Sequence, residues 1–328
     1  MRFRAPLLIA ALMMLAAGCQ NEQSVLQPQG PHAVQIAHLA WVLIAICFSV
    51  LAVVLVTLWL ALRGSPQVRA RLADHSTVIL AGIVFPAVTL TGLLGYSVWL
   101  MQAKPPGLSS EDVLRIEVVG EQWWWRVAYV AADASVASAN EIRIPVGRNV
   151  EFTLKSADVI HSFWVPSLGG KVDMIPGRTT QLRLAAARPG VYRGLCAEYC
   201  GGPHALMALP VVAMPAAEHA IWLTREAGPA REPASETERR GKSIFLAAGC
   251  GGCHALRGTE ARATIGPDLT RIGARYSVGL DTLPLTAANL ERFLLHGQSI
   301  KPGNTMPEFR VLSQADREAL VSYLLSLQ

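Results

Sequence analysis

Charged residues are scarce in this chain. Asp, Glu, Lys and Arg make up 16% of its 328 residues and hydrophobic residues 52%, a balance unusual for a protein dissolved along its whole length. The formal net charge of +5 is a modest excess and gives no reason to expect a nucleic-acid partner. Cysteine is sparse too. There are six, at 19, 47, 196, 200, 250 and 253, each with a provisional use of its own, so none remains to build a disulfide framework. No internal repeat is visible, so the length must be filled by distinct domains.

Two stretches lack charge altogether. Ile36 to Leu62 and Ser76 to Ala103 contain no Lys, Arg, Asp or Glu, enough for two helices, about 36–62 and 77–102, across a hydrocarbon core of about 30 Å. The loop between them carries Arg63, Arg69 and Arg71, which favours the cytoplasmic side, so the chain after Lys104 is expected outside. Pro86 would bend the second span, and Gly82, Gly92 and Gly95 would admit a neighbouring helix. Residues 33–104 thus read as a transmembrane hairpin. Ahead of them, residues 1–19 have a basic start, an apolar run and small residues, the pattern of a bacterial signal peptide. Its ending, Leu15-Ala16-Ala17-Gly18-Cys19, resembles a lipoprotein cleavage box with Cys19 as the lipidated residue; ordinary cleavage or retention as an anchor is the alternative.

Beyond the membrane the pattern alternates: Leu114-Ile116-Val118, Ile142-Ile144-Val146, Val150-Phe152-Leu154 and Leu182-Leu184 predict strands of a small all-β sandwich over 105–224. Residues 225–238, rich in Pro, Glu and Ala without an apolar face, read as a linker. From Arg239 to Gln328 the pattern is helical. It closes on an amphipathic helix starting at Ser313 or Gln314.

Two constellations carry chemistry. Cys250-Gly251-Gly252-Cys253-His254 is the pattern for covalent attachment of a c-type heme, with thioethers from both cysteines and His254 as an axial ligand. Met306 is the one methionine after this motif and the expected second axial ligand; His296 is the alternative. His/Met ligation raises a heme's potential. No second cysteine pair follows, which argues against zinc. Upstream, Cys196 and Cys200 share a loop with His204 and Met207, and His161 is the other histidine of the sandwich. Two thiolates, two imidazoles, a thioether and a backbone carbonyl suit two copper ions bridged by both sulfurs. A Cys196–Cys200 disulfide and a lone zinc ion are the alternatives, but both leave ligands without a reason.

His161-Ser162-Phe163-Trp164-Val165-Pro166, Lys171 to Arg178 and the Cys196–Met207 loop together resemble cytochrome c oxidase subunit II. The resemblance covers about Ile36 to Leu223 and implies a cupredoxin-like fold. It implies a binuclear CuA centre held by His161, Cys196, the Glu198 carbonyl, Cys200, His204 and Met207, and a magnesium site shared between the Glu198 carboxylate and subunit I. Gly120-Glu121-Gln122-Trp123-Trp124-Trp125 resembles the family's aromatic stretch, which makes Trp123 the candidate through which electrons arrive from cytochrome c. Glu121 and Trp124 stand where the family usually has His and Tyr. Ile265-Gly266-Pro267-Asp268-Leu269 and Asn304-Thr305-Met306-Pro307 resemble small cytochromes c, and imply that the Pro267 carbonyl orients His254.

The expectation is therefore a multidomain membrane protein: a helical hairpin, a cupredoxin-like sandwich and a cytochrome c domain at 239–328. It would pass electrons from a cytochrome c or cytochrome bc complex through heme c and CuA to subunit I of a proton-translocating oxidase in the bacterial inner membrane, with subunit III as a further partner. No residue of the chain itself would carry the oxygen chemistry. A CuA-type nitric oxide reductase subunit and a membrane-tethered copper-binding protein are the rival readings. Residues 104–224 hold eleven Lys and Arg against eleven Asp and Glu, whereas 239–328 hold eleven against seven. A tether between a balanced and a basic domain would raise the effective concentration of one beside the other.

Overall fold

The computed structural model describes residues 23–103, 113–131 and 135–328. The expected signal segment, Cys19 and Lys104–Gly107 lie outside the described residues. The chain divides into two compact units. One is Val34–Pro106, and the other comprises the residues before and after it.

The first unit is the helical hairpin: α1 (Pro31–Arg63), α2 (Pro66–Leu72) and α3 (His75–Gln102). The apolar side chains of α1 and α3 point outward, as lipid or a partner helix requires. Ser65 and Asp74 accept hydrogen bonds from the backbone N–H of Val68 and Ser76, which fixes the starts of α2 and α3. The bend expected at Pro86 takes the form of a π-turn at Leu80–Val84. Proline has no N–H to give the preceding turn, and one widened turn absorbs that deficit. Near the ends of the spans away from the arginine loop, the Gln35 side chain donates to the Ala103 carbonyl (3.3 Å), and His38 Nδ1 meets the Tyr96 hydroxyl (2.9 Å).

In the second unit, alternating burial makes ten strands into two packed sheets: β1 (Leu114–Glu121), β2 (Trp124–Val130), β3 (Ser135–Ala139), β4 (Ile142–Pro145), β5 (Val150–Ser156), β6 (His161–Trp164), β7 (Val172–Met174), β8 (Thr180–Leu184), β9 (Gly190–Cys196) and β10 (Ala208–Met214). One sheet runs β3-β2-β1-β5-β8 and the other β4-β10-β9-β6-β7. Between them Ile116, Val118, Trp125, Phe152, Leu154, Phe163 and Leu209 are fully buried. The segment before Val34 belongs to this unit as well: Gln29 N–H donates to the Ser167 carbonyl and Ala33 N–H to that of Leu168. The strands end at Met214, and α4 (Ala216–Ala227) completes the domain with a helix where the alternation had suggested strands to Thr224.

The C-terminal part is built on α5 (Glu236–Ala247), α6 (Ala287–Ile300) and α7 (Gln314–Ser326), with a two-stranded ribbon, β11 (Ser277–Val278) and β12 (Leu283–Pro284). Ser235 caps α5 and Ser313 caps α7 through their hydroxyl oxygens. Phe245, Leu256, Leu290, Leu294, Leu320 and Tyr323 form a second core. The segment read as a linker, 225–238, differs from that expectation. Its ends belong to α4 and α5, and the remaining 228–235 is held down: Ala230 is buried in the second core and its N–H donates to the Arg257 carbonyl (2.7 Å). Composition alone hid this because the anchoring partner lies far along the chain.

Helices α5 and α7 cross at Gly241. A methyl group there would lie 2.1 Å from the Ala319 carbonyl oxygen and 2.6 Å from Tyr323 Cβ. Gly241→Ala is therefore expected to destabilise the heme-motif domain by about 1–3 kcal/mol, the usual cost of overpacking, seen as a lower thermal midpoint of the full chain. An unchanged midpoint would contradict this close crossing.

Candidate metal centre

Sheet pairing and one closed loop bring the sulfur and imidazole donors together. His161 opens β6 and Cys196 ends its neighbour β9, with Phe163 opposite Cys196 in the ladder. The loop that follows returns as β10, and Cys196 N–H donates to the Met207 carbonyl (2.8 Å) across its neck. Gly201, at φ +101°, supplies the left-handed turn this return requires. Cys200, His204 and Met207 then face inward.

The contacts follow in sequence. Cys196 Sγ lies 3.8 Å from His161 Nδ1, 3.2 Å from the Glu198 carbonyl oxygen and 3.8 Å from Cys200 Sγ. Cys200 Sγ lies 3.5 Å from His204 Nδ1 and 3.7 Å from Met207 Sδ. Every group expected in the donor set therefore stands in one cluster, with His161, Cys196, Cys200 and Met207 buried and Glu198 and His204 half-buried. The sulfurs are outside the S–S bond length of about 2.05 Å, so they are free thiols here. A soft metal bonded at about 2.3 Å can reach both sulfurs across their 3.8 Å gap. Among the described residues, His161, Cys196 and Cys200 are the one group whose His, Cys and carboxylate ligand atoms all lie within 4.8 Å of one another. The Glu198 carboxylate is outside this group.

Electrostatics prepare the cluster for a cation. The Cys200 thiol beside it holds the Cys196 thiol well below the ordinary thiol range, with His161 and the Glu198 backbone adding to this, while Cys200 itself is raised by its neighbour and by burial. Burial would lower His161, but its contacts with Cys196 and Asp158 outweigh it and the ring is raised. His161 Nε2 meets Asp158 Oδ1 at 2.8 Å; the carboxylate can only accept, so the proton sits on Nε2 and Nδ1 is left open toward the thiols. Gly120 gives the imidazole room, since a methyl group there would lie 2.8 Å from the ring. Asp158 and Gly120 were not singled out from sequence. The turn Ser156-Ala157-Asp158, three residues before the histidine, is the signal that could have found the first.

Trp123 lies against the same loop. Its Nε1–H and the Gln122 side-chain amide both donate to the Cys200 carbonyl (2.9 and 2.8 Å). A methyl group on Gly201 or Gly202 would lie 3.2 or 3.3 Å from the indole, and one on Gly303 of the C-terminal domain 3.3 Å from it. The indole thus touches the cysteine loop on one side and the loop leading to Met306 on the other.

In the heme motif, a 3-10 turn over Cys250–Gly252 is closed by His254 N–H donating to the Cys250 carbonyl (3.0 Å). His254 Nδ1 donates to the Pro267 carbonyl at 2.7 Å, which leaves Nε2 as the free acceptor. Burial lowers the ring below the ordinary histidine range and keeps it neutral. A methyl group on Gly266 would lie 2.7 Å from this imidazole, so the Gly-Pro pair lets the chain pass under it. Cys250 and Met306 both pack against the second core. His296 lies at a kink in α6, with φ −136°.

Residues 130–214 match the family described as Cytochrome C oxidase subunit II, periplasmic domain, and residues 238–328 match Cytochrome c. Cytochrome c oxidase subunit 2 of Alkalihalophilus pseudofirmus is 31% identical over 336 residues, covering 98% of this chain and 96% of that protein. The subunit of the same name from Bacillus subtilis is 32% identical over 232 residues, covering 68% of this chain and 64% of that one. Among solved structures, the periplasmic domain of subunit II of cytochrome oxidase from Bradyrhizobium japonicum is 33% identical over 34% of this chain and 91% of that chain, with a TM-score of 0.32. A full-length match of this kind, over a chain that joins a copper-type sandwich to a cytochrome c domain, makes this protein a member of the cytochrome c oxidase subunit II family.

Proposed function

We propose that this membrane-anchored oxidase subunit receives electrons on its own cytochrome c domain and delivers them, past Trp123 and through a binuclear CuA centre, to subunit I. The observation that carries this reading is the position of Trp123, in contact with the glycines of both redox loops and bonded to the Cys200 carbonyl. When bound, the heme and the copper pair supply one-electron chemistry in which no atom is transferred. The chain's residues do the rest. His161, Cys196, the Glu198 carbonyl, Cys200, His204 and Met207 would hold copper, and burial of both cysteines keeps water from their sulfurs. Cys250 and Cys253 would hold heme covalently and His254 and Met306 would bind its iron, and the Pro267 carbonyl fixes the His254 tautomer. The Glu198 carboxylate completes a magnesium site with subunit I. The smooth surface at Gly82, Gly92 and Gly95, where a methyl group would meet nothing within 4 Å, suits packing of the hairpin against subunit I or III. The physiological site is the bacterial inner membrane, with a cytochrome c or cytochrome bc complex as donor, Cys19 lipidated and both redox domains outside.

Three measurements test this. An electron paramagnetic resonance spectrum of the copper- and heme-loaded full chain should show seven hyperfine lines from one electron shared by two copper nuclei; four lines would overturn the binuclear assignment. In the purified complex, oxygen rather than nitric oxide should be the accepted substrate. Asp158→Ala should loosen His161 and weaken copper retention against a chelator about 10–100-fold, the usual effect of losing a ligand-orienting partner. Unchanged retention would mean that Asp158 does not orient the ligand.

A further inference from the structure

The interface between the copper-type sandwich and the cytochrome c domain is assembled from an unusual set of contacts. Leu280 belongs by sequence to the cytochrome c domain, yet it is 3% exposed and buried in the apolar cluster of the sandwich. It sits at φ +66°, between Gly279 and Asp281, both also left-handed. A branched side chain is held in that region only when its surroundings over-determine it. Asp281, next in the chain, faces Arg193 of β9 at 3.4 Å.

Arg257, three residues beyond His254, is the second fixture. Its Nη1 donates to the Ala137 carbonyl of β3 and to Asp268, both at 2.9 Å. Its Nη2 donates to the Glu226 carbonyl in α4, and its Nε to that of Gly228 at 3.3 Å. Four of the five N–H groups of the guanidinium are thereby used, and the residue's own carbonyl anchors Ala230. No lysine could reproduce that fan of donors. Around it, Arg126 and Arg143 of the sandwich donate to the carbonyls of Thr264 and Ala274 (both 2.7 Å), and Glu141 accepts from the Tyr276 N–H (2.9 Å).

We propose that Leu280 and Arg257 are positioning residues that lock the cytochrome c domain onto the sandwich in a single register, so that the domain is a fixed part of the electron path and not a mobile tethered donor. This rests on the reading of Trp123 above, because the register they hold is the one that brings Gly303 against the indole. The interface pairs arginines largely with neutral carbonyls and buries an apolar plug. Neither contact is one that salt screens strongly. Each charge-assisted bond lost should weaken docking by about tenfold.

The test uses the full chain in its oxidase complex, with wild type, Arg257→Lys, Leu280→Gly and Trp123→Phe side by side. Glycine suits the left-handed backbone at 280, so L280G removes the plug without straining the cytochrome c domain. In wild type, trypsin should spare the bond after Arg231, the heme–copper distance distribution from pulsed magnetic resonance should be narrow, and flash-initiated heme-to-copper transfer should be one exponential, insensitive to salt and solvent viscosity. R257K and L280G should make the bond after Arg231 cleavable by trypsin, broaden the distance distribution and make transfer slower and viscosity-dependent, with the heme spectrum unchanged. W123F should slow transfer while leaving the cleavage pattern and distances as in wild type; if it does not slow transfer, the Trp123 reading fails and the docking proposal stands on the other two readouts. A viscosity-dependent wild type, or variants that keep the narrow distance and the resistance to trypsin, would overturn the fixed dock.

Discussion

The carbonyl oxygen of Cys200 takes two hydrogen bonds, one from the Gln122 amide and one from the Trp123 indole, while the sulfur of the same residue touches Cys196, His204 and Met207. One residue thus ties the β1–β2 turn of one sheet to the donor loop of the other. The tie works because both sheets are already held rigid by a core of fully buried side chains, so the loop has one way to return. Loosen that carbonyl and both the donor cluster and the seat of the indole lose their reference point.

The histidines of the two centres are governed by the same device. Each has one ring nitrogen committed to an oxygen, Asp158 for His161 and Pro267 for His254, and each is approached by a glycine that leaves no room for a side chain. Hydrogen bonding sets the tautomer and steric clearance sets the ring's position. The environments differ in charge. His161 faces a carboxylate and thiols and is raised, whereas burial, with Arg275 nearby, lowers His254.

Much of this could be read along the chain. The paired cysteines of each centre and the histidine that follows them, His204 or His254, are close in the chain, and covalent spacing carries that information directly; His161, 35 residues before Cys196, is brought in by the sheet. Strand alternation and uncharged runs exposed the sandwich and the hairpin. What escaped was everything whose meaning lies in a distant partner. Arg257 is one more arginine until Ala137, 120 residues earlier, closes on it. Leu280 is an ordinary apolar residue until it enters the other domain's core. The supposed linker was polar and proline-rich, and it is the Arg257 carbonyl, invisible to composition, that fixes it. The helix α4 escaped for a related reason, since its short apolar run is equally compatible with a strand.

The arginine contacts between the copper-type and cytochrome c domains have an evolutionary corollary. Their acceptors at Ala137, Glu226, Thr264 and Ala274 are main-chain oxygens, which survive any side-chain replacement. Those positions are free to drift, and the inheritance of the interface is concentrated in the few arginines that reach across. Related chains should therefore differ widely at the acceptor sites while retaining a guanidinium opposite each one, a pattern in which the donors on both faces of the boundary are held and the acceptors opposite them diverge.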